Sequence, residues 1–194
     1  MERALSPFIQ DDLARKMVFL SGPRQAGKTT LARALAAAWP DAQVLNWDVA
    51  ADRRVMLDQS WSPAVGLLVF DELHKMADWR AWLKGVFDGR REGQAILVTG
   101  SARLDAFRQG GESLAGRYFA WRLHPFTVKE WMALSGAAPE AALARILERG
   151  GFPEPFLADD ARDVGRWRRL YLEGMIRDDI LEFSRVAEVR AMRV

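Results

Sequence analysis

Gly22, Gly27, Lys28 and Thr29 occupy the fixed positions of G-x-x-x-x-G-K-[ST] within the run Gly22-Pro23-Arg24-Gln25-Ala26-Gly27-Lys28-Thr29-Thr30. These residue types at this spacing can hold a chain of phosphates. Glycines at both ends let the loop turn its backbone N–H groups inward as an anion cradle. A helix beginning at Lys28 adds the positive end of its dipole. Lys28 brings a mobile ammonium for the β- and γ-phosphate oxygens, and Thr29 brings a hydroxyl for Mg²⁺. The stretch from Gly22 to Thr30 is therefore the candidate cradle for a nucleoside triphosphate.

Asp71-Glu72 is the second chemical pair, closing the apolar run Gly66-Leu67-Leu68-Val69-Phe70. Two carboxylates at the end of a buried strand carry a desolvation cost unless charge is needed there. Beside a triphosphate, Asp71 is expected to hold the Mg²⁺ shell, and Glu72 to orient and deprotonate the attacking water. A strand leaving for solvent through an acidic turn explains the same residues. Thr99-Gly100-Ser101 ends another apolar run. A hydroxyl there, with Ser101 the candidate, can reach the γ-phosphate or the lytic water; helix capping is the competing reading. His74 and Lys75 read as surface residues, and Asp48 as a helix N-cap.

Strands and helices must set these groups in place. Met17–Leu20 reads as a buried strand ahead of the glycine loop, and Leu31, Leu35 and Trp39 recur at helical spacing behind it until Pro40. Further strands are predicted over 42–47, 66–70, 95–98 and 118–123. Helices are predicted within 1–16, 49–60 and 79–92. Apolar strands alternating with helices predict an α/β domain of three layers around a central parallel sheet, with the phosphate site at the strands' carboxyl ends. A mobile loop is expected around Gln109-Gly110-Gly111-Glu112. From about Phe126 the character changes. Helices are predicted over 127–135, 139–148 and 159–183, with a rigid turn at Phe152-Pro153-Glu154-Pro155. The expected division is a P-loop core over 1–125 and a helical appendage over 126–194.

Composition narrows the class. The chain has 194 residues, of which 49% are hydrophobic and 28% charged, and it has no cysteine. Disulfides and thiolate metal sites are thereby excluded. No apolar run reaches membrane-spanning length, and no secretory leader stands at the N-terminus, so a cytoplasmic protein away from membranes is expected. Formal net charge is only +2, so the basic pI of about 9.2 is poor evidence for a nucleic-acid partner. No Asn-Lys-x-Asp guanine signature is present, which favours ATP over GTP.

The blocks GPRQAGKTTL, LLVFDEL, ILVTGSARL, ESLAGR, HPFTVKEW and GGFPEPF, in that order, resemble the prokaryotic AAA+-like predicted ATPases. The resemblance runs from Leu13 to about Phe183. It implies an AAA+/RecA-like P-loop NTPase fold with Walker A and Walker B motifs, ATP and Mg²⁺ as cofactors, and a C-terminal domain of unknown function that usually follows. It implies hydrolysis that drives or resets a conformational or regulatory switch. A nucleotide-binding interaction module with little turnover and a P-loop small-molecule kinase are the alternatives. It also marks Arg117, after the Gly-rich loop, as a candidate γ-phosphate cation acting in cis or, through a homo-oligomer, in trans. An arginine pinning the loop to a carboxylate is the other reading. Gly151-Phe152-Pro153 matches in form a Gly-x-Pro turn that lies near the adenine in related switch ATPases, which makes Pro153 a candidate adenine contact; a turn between helices accounts for it equally. The protein partner that reads the switch is unknown.

Overall fold

The computed structural model describes residues 3–101 and 114–175. Five strands, β1 (Met17–Ser21), β2 (Ala42–Asn46), β3 (Leu67–Asp71), β4 (Ala95–Thr99) and β5 (Tyr118–Arg122), form one sheet in the order β2-β3-β4-β1-β5. Every pairing is parallel. The sequence explains why. β1, β3 and β4 are apolar at almost every position and are buried along their whole length. That is the pattern of strands covered on both faces.

Alternate residues feed two separate cores. Phe19, Leu68, Phe70, Ile96 and Val98 face one layer with Trp79, Leu83 and Val86 of α4 (Trp79–Gly89) and Met56 of α3 (Ala50–Asp58). Val18, Leu20, Leu67, Val69 and Leu97 face the other, against Ile9 and Leu13 of α1 (Ser6–Leu13) and Leu31 and Leu35 of α2 (Lys28–Ala37). The three-layer α/β architecture is therefore the observed one. The tryptophans Trp79 and Trp82 belong to the core: Trp82 meets Phe70 edge-on at 5.1 Å and Trp61 at 6.3 Å.

The chain divides into two compact units. One holds residues up to Pro125 together with Ala133–Gly136; the other holds Phe126–Met132 and the residues from Ala137 on. The second contains most of α5 (Val128–Ser135), then α6 (Pro139–Arg149), α7 (Pro153–Leu157) and α8 (Ala161–Met175). Its centre is aromatic. Trp131 packs edge-on against Phe156 at 4.7 Å, and Arg145 lies over both rings while donating to the Phe156 carbonyl. The turn expected at residues 152–155 is in fact the start of α7, because Pro153 fits the first helical position, where its missing N–H costs nothing. The expected loop at 109–112 and the expected helix beyond Met175 lie outside the described residues.

No helix among the described residues is long and apolar enough to cross a membrane.

Candidate active site

The loop between β1 and α2 is held by constraints that only its own residues meet. Gly22 has φ +148, and a Cβ there would press into the Leu123 carbonyl oxygen. That close approach is fixed by the Leu123 N–H, which donates to Ser21 O at 2.8 Å. Gly27 has φ 92 at the N-cap of α2, a left-handed conformation that glycine takes without strain. Gln25 is also left-handed, with φ 61. Arg3, almost fully buried, braces the loop from behind: its guanidinium donates to Ala26 O at 3.1 Å and to His124 O at 2.7 Å.

Lys28, the first residue of α2, is 6% exposed. Its Nζ donates to Gly22 O at 3.0 Å and Pro23 O at 2.8 Å, so the ammonium lies inside the loop. Burial pushes its pKa below the ordinary 10.5; Glu72 and Asp71 pull the other way, and the Arg24 charge adds to the depression. A buried cation satisfied only by neutral carbonyls is a natural receptor for an anion. Pro23 is half-buried and Ala26 buried, while Arg24, Gln25 and Thr30 are exposed on the rim.

Asp71 ends β3 and is 1% exposed. One of its oxygens accepts from the Thr29 hydroxyl at 2.8 Å and from the Asn46 amide at 3.0 Å; the other accepts from the Thr99 hydroxyl. Four elements thus converge on one carboxylate: the start of α2 and the ends of β2, β3 and β4. Thr29 and Asp71, the two expected metal ligands, are brought into direct contact. This oxygen-only donor set suits a hard cation such as Mg²⁺.

Glu72 follows in a left-handed conformation, φ 57, and is partly exposed. Its carboxylate lies 3.5 Å from Lys75 Nζ and 3.7 Å from His74 Nε2. Lys75 in turn meets Asp48 at 2.5 Å. Burial acts to lower the Lys75 pKa, but the Asp48 hydrogen bond and the Glu72 charge outweigh it and hold the ammonium above its usual value. Ser101 Oγ sits 3.3 Å from His74 Nε2. Two expectations change here. The His74 side chain is 6% exposed and is no surface residue. The N-cap of α3 is Val49, and Asp48 serves as the partner of Lys75.

The structure therefore brings together Lys28, Thr29, Asp71, Glu72 and Ser101 at the carboxyl ends of the strands. Arg117 stands elsewhere. Its carbonyl accepts from Met17 N, at the start of β1, and its guanidinium is bonded to Asp88 of α4 at 3.0 and 3.3 Å. That pairing holds the Asp88 carboxyl below its ordinary 3.8. A five-residue strand, roughly 16 Å, separates Arg117 from the loop, more than an arginine side chain spans. Pro153 lies in the second unit, at the first position of α7. Asn46, Thr99 and His74 are site residues that sequence reasoning did not select. For Thr99 the signal was present, as the last residue of a buried strand parallel to the one ending in Asp71.

A family model described as an AAA domain matches residues 14–132, more than half of the chain. An uncharacterized protein of Mycobacterium tuberculosis is 30% identical over 170 residues, covering 87% of this chain and 37% of the relative. The chain thus spans little more than a third of that relative's length. The Walker-type ATPase PABY2304 of Pyrococcus abyssi superposes with a TM-score of 0.60 at 14% identity, over 94% of this chain and 75% of that one. The RuvB Holliday junction branch migration motor of Thermotoga maritima gives 0.52 at 21% identity, over 79% of this chain and 58% of that one. At such identities the likeness is one of fold.

Proposed function

The chain belongs to the AAA domain family of P-loop ATPases, and on that premise we propose that it binds ATP with Mg²⁺ and hydrolyses it to drive or reset a conformational switch. The observation that carries this reading is the contact of Thr29 with Asp71 at 2.8 Å beside the buried Lys28 ammonium. The residues fit the cofactor. Loop N–H groups and Lys28 provide the anion site, and Thr29 with Asp71 provides the metal site. Bound there, Mg²⁺ would supply neutralisation of phosphate charge. Lys28 leaves its two loop carbonyls and pairs with phosphate. Glu72 takes a proton from the attacking water, which needs it to move away from Lys75, since a carboxylate paired with an ammonium is a weaker base. Ser101 orients the water or a phosphate oxygen.

Within one subunit Arg117 stands just before β5, at the opposite end of the strands from the phosphate loop. We assign Arg117 to a neighbouring subunit's nucleotide, in a homo-oligomer whose Arg117–Asp88 pair opens on assembly. The same position of Arg117 favours a second reading, a nucleotide-binding module with little turnover when it is alone. A phosphate-release assay across protein concentration tests both. Turnover per subunit that rises with concentration supports the switch ATPase, and its absence at every concentration supports the module. ATP-dependent phosphorylation of a small acceptor in place of phosphate release would point to a kinase instead.

A further inference from the structure

We infer that His74 is a positioning residue that fastens the base Glu72 to the hydroxyl of Ser101, so that the end of β4 sets where the base points. The inference rests on reading Glu72 as the base. Glu72 has φ 57, a conformation that a residue with a side chain holds only where its surroundings fix it. The three-residue 3₁₀ turn Leu73–Lys75 follows directly, and it folds His74 back toward Glu72. One imidazole nitrogen, Nε2, lies between the two functional oxygens: 3.3 Å from Ser101 Oγ and 3.7 Å from Glu72 Oε2. The ring is buried, with 6% of the side chain exposed, so its orientation is set by packing. Leu73, fully buried, anchors the turn in the core beneath.

The site therefore has two independent holds on Glu72. Lys75, 41% exposed and tied to Asp48, attaches it to the end of β2 through a solvent-facing ion pair. His74 lies against it on the buried side, with Nε2 3.7 Å from the Glu72 carboxylate and hydrogen-bonded to Ser101 beyond the end of β4. Screening weakens the first and leaves the second intact. A hydroxyl that turns toward a phosphate oxygen at Ser101 still accepts a hydrogen bond from Nε2–H. The chain phosphate–Ser101–His74–Glu72 then registers the base against the bound nucleotide. Displacing a base by about 1 Å is worth roughly a hundredfold in rate.

The test uses His74→Phe, which keeps a buried ring and removes the nitrogen, and His74→Gln, whose side-chain amide nitrogen is as far from Cα as Nε2. Steady-state hydrolysis of Mg·ATP gives kcat, and calorimetry with a non-hydrolysable ATP analogue gives affinity. For His74→Phe the expected result is unchanged affinity and kcat lowered by roughly a hundredfold. For His74→Gln, kcat should stay within a few-fold of the unaltered protein. Ser101→Ala should cost less when added to His74→Phe than when made alone, because part of its effect runs through His74. A wild-type kcat in His74→Phe overturns the inference. So does equal impairment of the two variants, which would make the role one of packing, and so does a parallel loss of affinity. Glu72→Gln, run alongside, separates the levels. If it abolishes turnover while His74→Phe does not, only the inference fails; if it turns over normally, the base assignment itself fails.

Discussion

Replacing Lys28 with methionine should separate folding from binding, because the structure buries a charge whose hydrogen bonds go to neutral carbonyls. The side chain is 6% exposed, burial depresses its pKa, and its ammonium donates to Gly22 O and Pro23 O. Two charge-assisted bonds contribute about 1.5–3 kcal/mol each, while desolvating the ion costs several kcal/mol, so Lys28→Met should change unfolding free energy by no more than about 2 kcal/mol. ATP binding behaves differently. A missing partner for a buried phosphate charge costs about 2–5 kcal/mol, a roughly 30- to 4,000-fold loss of affinity. The pH dependence carries a sign. The folded-state pKa of Lys28 lies below its unfolded value of 10.5, so the folded protein sheds this proton first. Between the two values the unfolded chain binds more protons, and stability gains from Lys28 as pH rises. Phosphate reverses the shift in the complex, so ATP affinity falls as pH rises through the same alkaline window. Denaturant titrations and calorimetry, each on both proteins across that window, give the four quantities. Unchanged ATP affinity in Lys28→Met would refute the phosphate assignment. A loss of folding stability equal to the loss of affinity would refute the argument that the charge sits there for an anion.

Three other changes test the remaining parts of the site. Glu72→Gln should leave analogue affinity within a few-fold and slow turnover by roughly a hundredfold or more, as measured by phosphate release. Gly22→Ala forces a Cβ onto the Leu123 carbonyl at φ +148; it should destabilise the protein by roughly 1–3 kcal/mol in thermal or denaturant unfolding and weaken ATP binding together with it. Arg117→Ala and Lys28→Ala proteins, each inactive alone, should regain ATPase activity on mixing if Arg117 serves a neighbour's nucleotide; full activity of Arg117→Ala by itself would leave Arg117 with no role in turnover.

The parts of this site that were legible in the sequence are those whose chemistry is local. The loop is read from eight consecutive residues, because the backbone geometry that binds phosphate is made by neighbours in the chain. Asp71-Glu72 is read from the conflict between an apolar run and two charges. The sheet order could not be read, since alternation of strands and helices fixes parallel pairing but not which strand lies beside which. That order decides the rest. β4 lies between β1 and β3 and so delivers Thr99 to Asp71, while β2, next to β3, delivers Asn46 to the same carboxylate. Both residues are ordinary polar ends of strands until the neighbour is known. His74 follows the same rule: nothing in the polar pair His74-Lys75 marks one side chain over the other for burial, and the left-handed Glu72 turns it inward. Arg3 is the extreme case. It bonds to Ala26 and His124, distant from it and from each other in sequence, and its partners are backbone carbonyls that every residue type carries. No side-chain pattern encodes such a contact. Only the closing of β5 against β1 brings the two carbonyls within reach of one guanidinium, so the brace behind the phosphate loop is a property of the assembled sheet.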